Sequence, residues 1–166
     1  MAKVVYKVGD DVSTDVIYPG RYMATVLPTE TPKYAFVDDE AFSKKLNGGE
    51  VPKGSVLLGG NNFGCGSSRE QAASCLKGWE LIVVAPDFAR IFLQNAINLG
   101  LNVVTAPGIE ASEGDELEIS ATEVVNKTTG KTFAVEPLPK SRQSIIDAGG
   151  LIPYTRQRVL EAAGRA

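Results

Sequence analysis

The sequence predicts an α/β domain in which a parallel sheet covered by helices is followed by a small antiparallel meander. In the middle of the chain, short β-rich segments alternate with helical ones, which is typical of βαβ units. The last third changes to closely spaced strands joined by turn residues. A length of 166 residues suits one domain. We therefore expect residues 1–166 to form a single domain, with residues 139–166 as a C-terminal helical extension.

The first third of the chain predicts few regular elements. Val4–Val8 fits a short strand that ends at a Gly-Asp-Asp turn. Pro19 and Gly20 interrupt the apolar stretch that follows, and further prolines break up residues 27–52. Within that region Asp39–Leu46 is the one predicted helix, and it ends at the sequence NGG.

The middle of the chain has the clearest pattern. Its apolar runs predict three buried strands, at Ser55–Gly60, Glu80–Ala85 and Leu101–Val104. Two helices lie between them, one over Ser68–Lys77 with Gly78 as its C-terminal stop. The other lies within PDFARIFLQNAINLG, where apolar residues recur at helical spacing until Gly100 ends it.

The last third predicts a hairpin-rich sheet and then two helices. DELEIS alternates in hydrophobicity, and TEVVN and KTFAV flank a KTTG turn. The segment SRQSIIDAGGLIPYTRQRVLEAAG predicts two short helices that Gly149 and Gly150 separate.

Composition excludes several classes of function. A net charge of -3 gives no basic surface for nucleic acid, and the longest apolar run, LIVVA, is far too short to span a membrane. The N-terminus turns acidic before any apolar leader develops, and two cysteines cannot form a disulfide scaffold. We therefore expect a cytoplasmic protein with no nucleic-acid and no membrane partner.

The chain contains no histidine, which excludes Ser–His and Cys–His nucleophile pairs and histidine metal ligands within it. Its cysteines, Cys65 and Cys75, have the spacing C-x9-C, which matches no zinc or redox template. We expect no metal site in this chain. A proton shuttle must come from another residue type or from another chain.

The stretch NNFGCGSSREQAA, residues 61–73, is the strongest candidate for a functional site. It connects a strand to a helix, and helix N-termini suit anions because their N–H groups are unpaired. Gly64 and Gly66 allow close approach to the backbone, and Arg69 adds a planar fork of donors suited to a carboxylate or phosphate. The residues of this loop favour an anion cradle.

Simpler explanations of the same loop stay open at this point. Ser67 with Glu70, or Ser68 with Gln71, fits a capping box that only satisfies the first helical amides. The P-loop lysine is missing, so a nucleotide site is not supported. With no histidine to activate it, Cys65 is better explained as a packing residue than as a nucleophile.

The chain as a whole resembles the swivel domain of the aconitase superfamily, and in particular the small subunits of the isopropylmalate isomerase and homoaconitase families. NNFGCGSSREQAA and PDFARIFLQNAINLGL carry the resemblance, with support from GDDVSTDVIYPGRYM, KGSVLLGG and IIDAGGLIPYTRQ. The resemblance implies a three-layer β/β/α swivelling domain. It also implies a hydro-lyase that moves a hydroxyl to the neighbouring carbon of a small hydroxy-dicarboxylate.

In that family a [4Fe–4S] cluster binds the substrate hydroxyl, and its three cysteine ligands lie on a large subunit. The resemblance therefore implies no cofactor on this chain and a large iron–sulfur subunit as partner, in a heterodimer or heterotetramer. The chain has two cysteines, and their spacing matches no iron–sulfur cluster motif, which agrees with a cluster held by the large subunit.

The resemblance also implies roles for individual residues. Ser67 matches the family's catalytic serine, which acts as an alkoxide-like base, and Ser68 and Arg69 match positions that bind a substrate carboxylate. Thr14 and Asp15 match a Thr-Asp element near the active site, where they would position a loop or a side chain of the partner. An Asx-type turn is the alternative for that pair.

The residues Tyr22, Met23, Ala24 and Thr25 match the loop that sets substrate specificity in archaeal-type relatives. Homoaconitases have YLRT there and isopropylmalate enzymes YLVY, whereas this chain has YMAT. Without the arginine an extra carboxylate loses a bidentate partner, which disfavours a tricarboxylate. Isopropylmalate is the first expectation, in leucine biosynthesis. Dimethylmalate, citramalate or citraconate, maleate and homoaconitate are alternatives, and a standalone dicarboxylate-binding module is the alternative class.

Overall fold

The computed structural model describes residues 1–164. Their strands form one sheet and are numbered in chain order: β1 (Ala2–Lys7), β2 (Val56–Leu58), β3 (Ile82–Ala85), β4 (Asn102–Thr105), β5 (Glu116–Ile119), β6 (Glu123–Asn126) and β7 (Thr132–Ala134). The helices are α1 (Thr14–Ile17), α2 (Glu40–Asn47), α3 (Glu70–Gly78), α4 (Arg90–Leu99), α5 (Lys140–Asp147) and α6 (Leu151–Ala162). None of the helices in residues 1–164 is both long and apolar enough to cross a membrane.

The strands lie in the order β4-β3-β2-β1-β5-β6-β7. β1 to β4 are parallel, and β5 to β7 continue the sheet as an antiparallel meander. A bridge joins Thr105, at the end of β4, to Glu136, just beyond β7, so the sheet curls until its two outer strands meet. The predicted α/β fold with a late meander is confirmed.

Two apolar cores separate three layers. The first lies between the parallel half of the sheet and the helices, and the second lies inside the curl, between the parallel strands and the meander. β2 contributes to both, because Leu57 faces the helices while Val56 and Leu58 face the meander. All three are buried, as expected for a central strand of a parallel sheet. This is the three-layer β/β/α arrangement that the family resemblance implies.

The predicted stop of α3 at Gly78 is wrong, because Gly78 is the last residue of the helix itself. Its small size serves packing: a Cβ added there would lie 2.2 Å from Cγ of Pro32. The chain reverses two residues later at Glu80, which has a φ of 53°. The corresponding prediction for α4 is confirmed, since Gly100 follows it with a left-handed φ of 73°.

Besides a 3₁₀ turn at Gly20–Tyr22, the first third of the chain contains two elements that the sequence did not predict. Ser13 caps the one-turn helix α1, which stands where an Asx-type turn was the alternative for Thr14 and Asp15. Thr31–Tyr34 forms a 3₁₀ turn that packs against α3. Both are too short to produce a helical period in the sequence. At the other end, the two helices predicted around Gly149 and Gly150 are present as α5 and α6.

Candidate active site

Two loops lie side by side at the carboxyl edge of the parallel strands. One follows β1 and covers residues 10–14, and the other follows β2 and covers residues 59–69. The Gly64 amide donates to the Val12 carbonyl at 2.7 Å, and the Thr14 amide donates to the Cys65 carbonyl at 2.8 Å. This edge is the usual place for ligand sites in open α/β sheets. Residues that are about fifty positions apart in the sequence are thus neighbours here.

Gly64 fixes how α4 packs against the second loop. It has a φ of +82°, and an added Cβ would lie 2.2 Å from Cγ of Phe92. Phe92 in turn packs edge-on against Phe63, with ring centroids 5.3 Å apart. Gly64 therefore admits a helix side chain close to the backbone, whereas the sequence suggested an approaching ligand. Gly66 is exposed with a φ of +90°, so its need for glycine is conformational.

The two serines do not cap α3. The helix begins at Glu70 with Arg69 as its N-cap residue, and in residues 1–164 no side chain accepts a hydrogen bond from its first amides. Both predicted capping boxes are therefore wrong, because the helix starts too late for either serine to reach the required position. Ser67 and Ser68 are exposed on the loop, and Asn95 of α4 donates to the Ser68 carbonyl at 3.3 Å. Their hydroxyls are available to a ligand.

Ser67 is paired with Thr14 of the neighbouring loop. Their hydroxyl oxygens are 3.1 Å apart, and the Thr14 hydroxyl also lies 3.0 Å from the Ser67 carbonyl, to which it donates. Thr14 is 1% exposed. The structure therefore brings together two residues that the sequence singled out separately.

Arg69 lies beneath the loops with its side chain only 15% exposed. Its guanidinium forms an ion pair with Asp15 and lies 3.4 Å from the Tyr18 carbonyl. Nε is buried and has no hydrogen-bond partner within the described part of the chain. The guanidinium lowers the pKa of Asp15 below its ordinary value, mainly through the hydrogen bond. The Nε–H group of Arg69 is thus a hydrogen-bond donor without an acceptor in the described residues, in the residue next to Ser68.

The Tyr22–Thr25 loop lies beside the same site. The buried Tyr18 hydroxyl donates to the carbonyls of Tyr22 and Thr25, at 3.0 and 3.2 Å. Gln71, in the first turn of α3, donates to the Met23 carbonyl at 3.4 Å. The Tyr22 ring stacks on Tyr34, whereas the side chains of Met23 and Ala24 are exposed. The loop is held through its backbone, so those two side chains are free to contact a ligand.

The two cysteines occupy different surroundings. The Cys65 thiol is half-buried and donates to the Asp11 carbonyl at 3.2 Å, and Cys75 is fully buried in the helix-side core. Burial raises the pKa of the Cys75 thiol well above its usual range. Among residues 1–164 no three His, Cys, Asp or Glu side chains are grouped as metal ligands would be. Neither thiol has the surroundings of a reactive thiolate.

Three residues that the sequence analysis did not single out support the site. Tyr18 connects Arg69 to the Tyr22–Thr25 loop, Gln71 joins that loop to α3, and Asn95 anchors Ser68. Gln71 lies within the prominent NNFGCGSSREQAA motif, which was its only available signal. Tyr18 lies in GDDVSTDVIYPGRYM and Asn95 in PDFARIFLQNAINLGL, but no local pattern encodes the contacts that they make in the fold.

Fold and site together define a class of protein: three-layer α/β domains that present two serines and an arginine at the carboxyl edge of a parallel sheet. Comparison with known proteins narrows the class. Residues 11–107 match the model of the aconitase C-terminal domain. A 3-isopropylmalate dehydratase small subunit from Methanosarcina acetivorans is 44% identical over 161 residues, covering 94% of this chain and 96% of its own.

Two proteins from Methanocaldococcus jannaschii extend the comparison. An isopropylmalate/citramalate isomerase small subunit is 42% identical, with 95% of each chain covered. The crystal structure of a 3-isopropylmalate dehydratase superposes with a TM-score of 0.88 at 40% identity, and covers 99% of this chain and 98% of that one. This chain belongs to the aconitase C-terminal domain family.

Proposed function

We propose that the chain is the small subunit of a heteromeric iron–sulfur hydro-lyase that converts 2-isopropylmalate to 3-isopropylmalate by dehydration and rehydration. One observation carries the proposal: exposed Ser67 and Ser68 lie beside the largely buried Arg69 on an open edge of the sheet. The names of relatives that align over nearly the whole chain support the same assignment.

Ser67 acts as the base. Its alkoxide takes the proton from the carbon next to the one that bears the hydroxyl, so the C–H bond breaks and an O–H bond forms on Ser67. The released electron pair becomes the double bond, and the hydroxyl leaves as water after gaining a proton from an acid on the partner subunit. In the return step water adds its hydroxyl to the neighbouring carbon and gives its extra proton back to that acid, while Ser67 returns its proton to the carbon that lost the hydroxyl. Unpaired amides at the start of α3 and the nearby Arg69 guanidinium provide the positive potential that favours the Ser67 anion.

Ser68 and Arg69 hold a substrate carboxylate. The hydroxyl of Ser68 is exposed, and a guanidinium suits a carboxylate because its parallel N–H groups match two oxygens. Asp15 fixes the Arg69 guanidinium in place through their ion pair. The carboxylate thereby positions the carbon acid next to Ser67.

The iron–sulfur cluster belongs on the partner. Such clusters are held by several cysteine thiolates. Cys75 is fully buried among apolar side chains, and Cys65 is half-buried in a loop without a second thiol beside it. The residues of this chain therefore do not fit the cluster. A cytoplasmic complex with a large iron–sulfur subunit completes the site.

Citramalate is the second candidate substrate. The M. jannaschii relative is named for both isopropylmalate and citramalate. In this chain the exposed Ala24 replaces the larger residues of the specificity patterns, and it leaves room for either an isopropyl or a methyl substituent. The absence of arginine at this position disfavours a tricarboxylate.

An anaerobic pull-down of the tagged chain from its own host tests the proposal. The eluate is assayed for dehydration of isopropylmalate, citramalate, dimethylmalate and homocitrate, and for hydration of maleate. We expect a larger iron–sulfur chain to co-elute and to turn over isopropylmalate. A chain that is isolated alone, is inactive and still binds a dicarboxylate would instead indicate a standalone binding module.

Ser67→Ala in the assembled complex tests the assignment of the base. We expect turnover to fall by at least about 1,000-fold, since a positioned proton acceptor contributes a factor of this order. Folding and assembly are expected to persist because Ser67 is exposed. Retention of near-normal kcat would show that another group removes the proton.

A further inference from the structure

We infer that Thr14 is a positioning residue whose hydroxyl moves its hydrogen bond from the Ser67 carbonyl to the Ser67 alkoxide when that serine acts as a base. The inference rests on the proposed function, and it assigns to Thr14 a task different from the positioning of a loop. It follows from one short contact between the two loops at the carboxyl edge of the sheet.

The resting arrangement directs the Ser67 proton toward Thr14. The Thr14 hydroxyl has one hydrogen, and its oxygen lies 3.0 Å from the Ser67 carbonyl and 3.1 Å from Ser67 Oγ. When Thr14 donates to the carbonyl, the serine hydroxyl donates back to Thr14, because a hydroxyl both donates and accepts. In this state Ser67 is a neutral alcohol and a poor base.

Ionisation of Ser67, which is exposed and releases its proton to solvent water, reverses the direction of the hydrogen bond. The alkoxide has no proton to donate, and the oxygen of Thr14 is already at hydrogen-bond distance from it. A rotation of the Thr14 O–H bond then supplies a donor without displacing any heavy atom. A hydrogen bond to a charged group is roughly twice as strong as one between neutral groups, so this rotation favours the anion.

Thr14 is rigid enough for this task. Its amide donates to the Cys65 carbonyl at 2.8 Å, and its own carbonyl accepts from the Tyr18 amide at 2.9 Å. With its side chain buried, the hydroxyl has no competing water. A donor fixed in place before the reaction costs no reorganisation when charge develops, which is the general basis of electrostatic preorganisation.

Thr14→Val in the assembled enzyme tests the inference, because valine keeps the shape and removes the hydroxyl. We expect kcat to fall by about 10- to 100-fold with KM nearly unchanged, from the loss of one hydrogen bond to a charged group. The alkaline rise of kcat with pH is expected to move to higher pH, since a less stabilised alkoxide forms only there. Thr14→Ser keeps the hydroxyl and is expected to restore activity to within a few-fold.

Thr31→Val is the matched control. The Thr31 hydroxyl lies 2.9 Å from Ser74 Oγ in a buried pair of the same chemistry, outside the site. We expect Thr31→Val to change thermal stability as Thr14→Val does, and to leave kcat and the pH profile of kcat unaltered. Exchange of the substrate carbon-bound proton with deuterated water, followed by mass spectrometry, measures proton removal directly.

Each outcome decides the question. A normal kcat and exchange rate in Thr14→Val, or an equal loss in Thr14→Ser, would overturn the inference. If Ser67→Ala abolishes exchange while Thr14→Val does not affect it, the base assignment survives and the role of Thr14 fails alone. If Ser67→Ala retains exchange, the assignment of Ser67 as the base in the proposed function is wrong, and the role of Thr14, which depends on it, is wrong as well. If Thr14→Val does not assemble with the large subunit, a comparison of Thr14→Ala with Thr14→Ser tests the same role of the Thr14 hydroxyl.

Discussion

At the scale of single residues, the site depends on side chains that combine burial with remaining donor capacity. Arg69 is the clearest case: its side chain is 15% exposed, Asp15 pairs with one nitrogen, and Nε has no partner in the described residues. A partly satisfied buried guanidinium is costly unless a ligand completes its hydrogen bonds. In the proposed complex a substrate carboxylate would add hydrogen bonds to the exposed part of this guanidinium.

Replacing Arg69 with lysine is therefore expected to act mainly on substrate binding. A lysine is a point charge that cannot reproduce the planar fork, so we expect KM to rise by about 10- to 100-fold with a smaller change in kcat. Steady-state kinetics of the assembled complex measure this. Arg158→Lys, on the exposed face of α6, is the control and is expected to leave both constants unchanged. A fall in kcat alone would argue against a carboxylate-binding role.

Gly64 allows a prediction about stability at the same scale. Gly64→Ala combines a left-handed φ with a Cβ 2.2 Å from Phe92, and we expect it to cost about 3 kcal/mol or more of unfolding free energy. Gly54 has a similar φ of +77° and open space around it, so Gly54→Ala is expected to cost only about 1 kcal/mol. Denaturant unfolding of the two variants measures the difference. Equal losses of unfolding free energy in the two variants would show that the Phe92 side chain moves aside at little cost.

At the scale of elements, the sequence predicts those whose pattern is local and repeated. The apolar period of α4 and the left-handed residue Gly100 identify that helix and its end, and both are present as predicted. The start of α3 was misplaced because Ser67 and Ser68 fit the local capping rule equally well. The chain instead uses both serines outside the helix, where Ser67 pairs with Thr14. That pairing depends on how β1 and β2 align, which no local pattern contains.

The cap of α2 gives an element-scale prediction with a defined pH dependence. Asp39 accepts from the Phe42 amide at 3.0 Å and from the Tyr6 hydroxyl, and these bonds lower the pKa of its carboxyl. A folded-state pKa below the ordinary value stabilises the fold above about pH 4, and the contribution is lost as pH falls toward the lowered value. Stability should therefore fall with acid.

Asp39→Ala is expected to reduce the unfolding free energy by about 1–2 kcal/mol at pH 7 and by much less at pH 3. Asp38→Ala is the neighbouring control, because among residues 1–164 Asp38 pairs only with the exposed Arg21 and such pairs contribute about 0–1 kcal/mol. Thermal unfolding of the three proteins across this pH range makes the comparison. A difference that is constant with pH would exclude the carboxylate as its source.

At the scale of the whole molecule, the predicted extension over residues 139–166 is described as far as residue 164, and this part of it divides into two helices with different attachment. Residues 165 and 166 lie outside the described residues. Ile146 of α5 is buried, whereas no residue of α6 is. Removing the chain from Leu151 onward is therefore expected to cost no more than about 2 kcal/mol, because little apolar area is lost. Ile146→Ala is expected to cost about 2–4 kcal/mol through the cavity it leaves. Calorimetry that ranked the two changes in the opposite order would show that α6 is integral to the domain.

The contact between the two loops at the sheet edge also has a consequence for modularity. The glycine- and serine-rich segment after β2 carries the serines and Arg69, yet residues 10–14 after β1 supply hydrogen-bond partners for its backbone and for Ser67. A chimaera that receives only the segment after β2 would obtain its serines without the threonine that faces them. Transplanting the chemistry to another scaffold therefore requires moving both loops together, on two adjacent parallel strands in the same register.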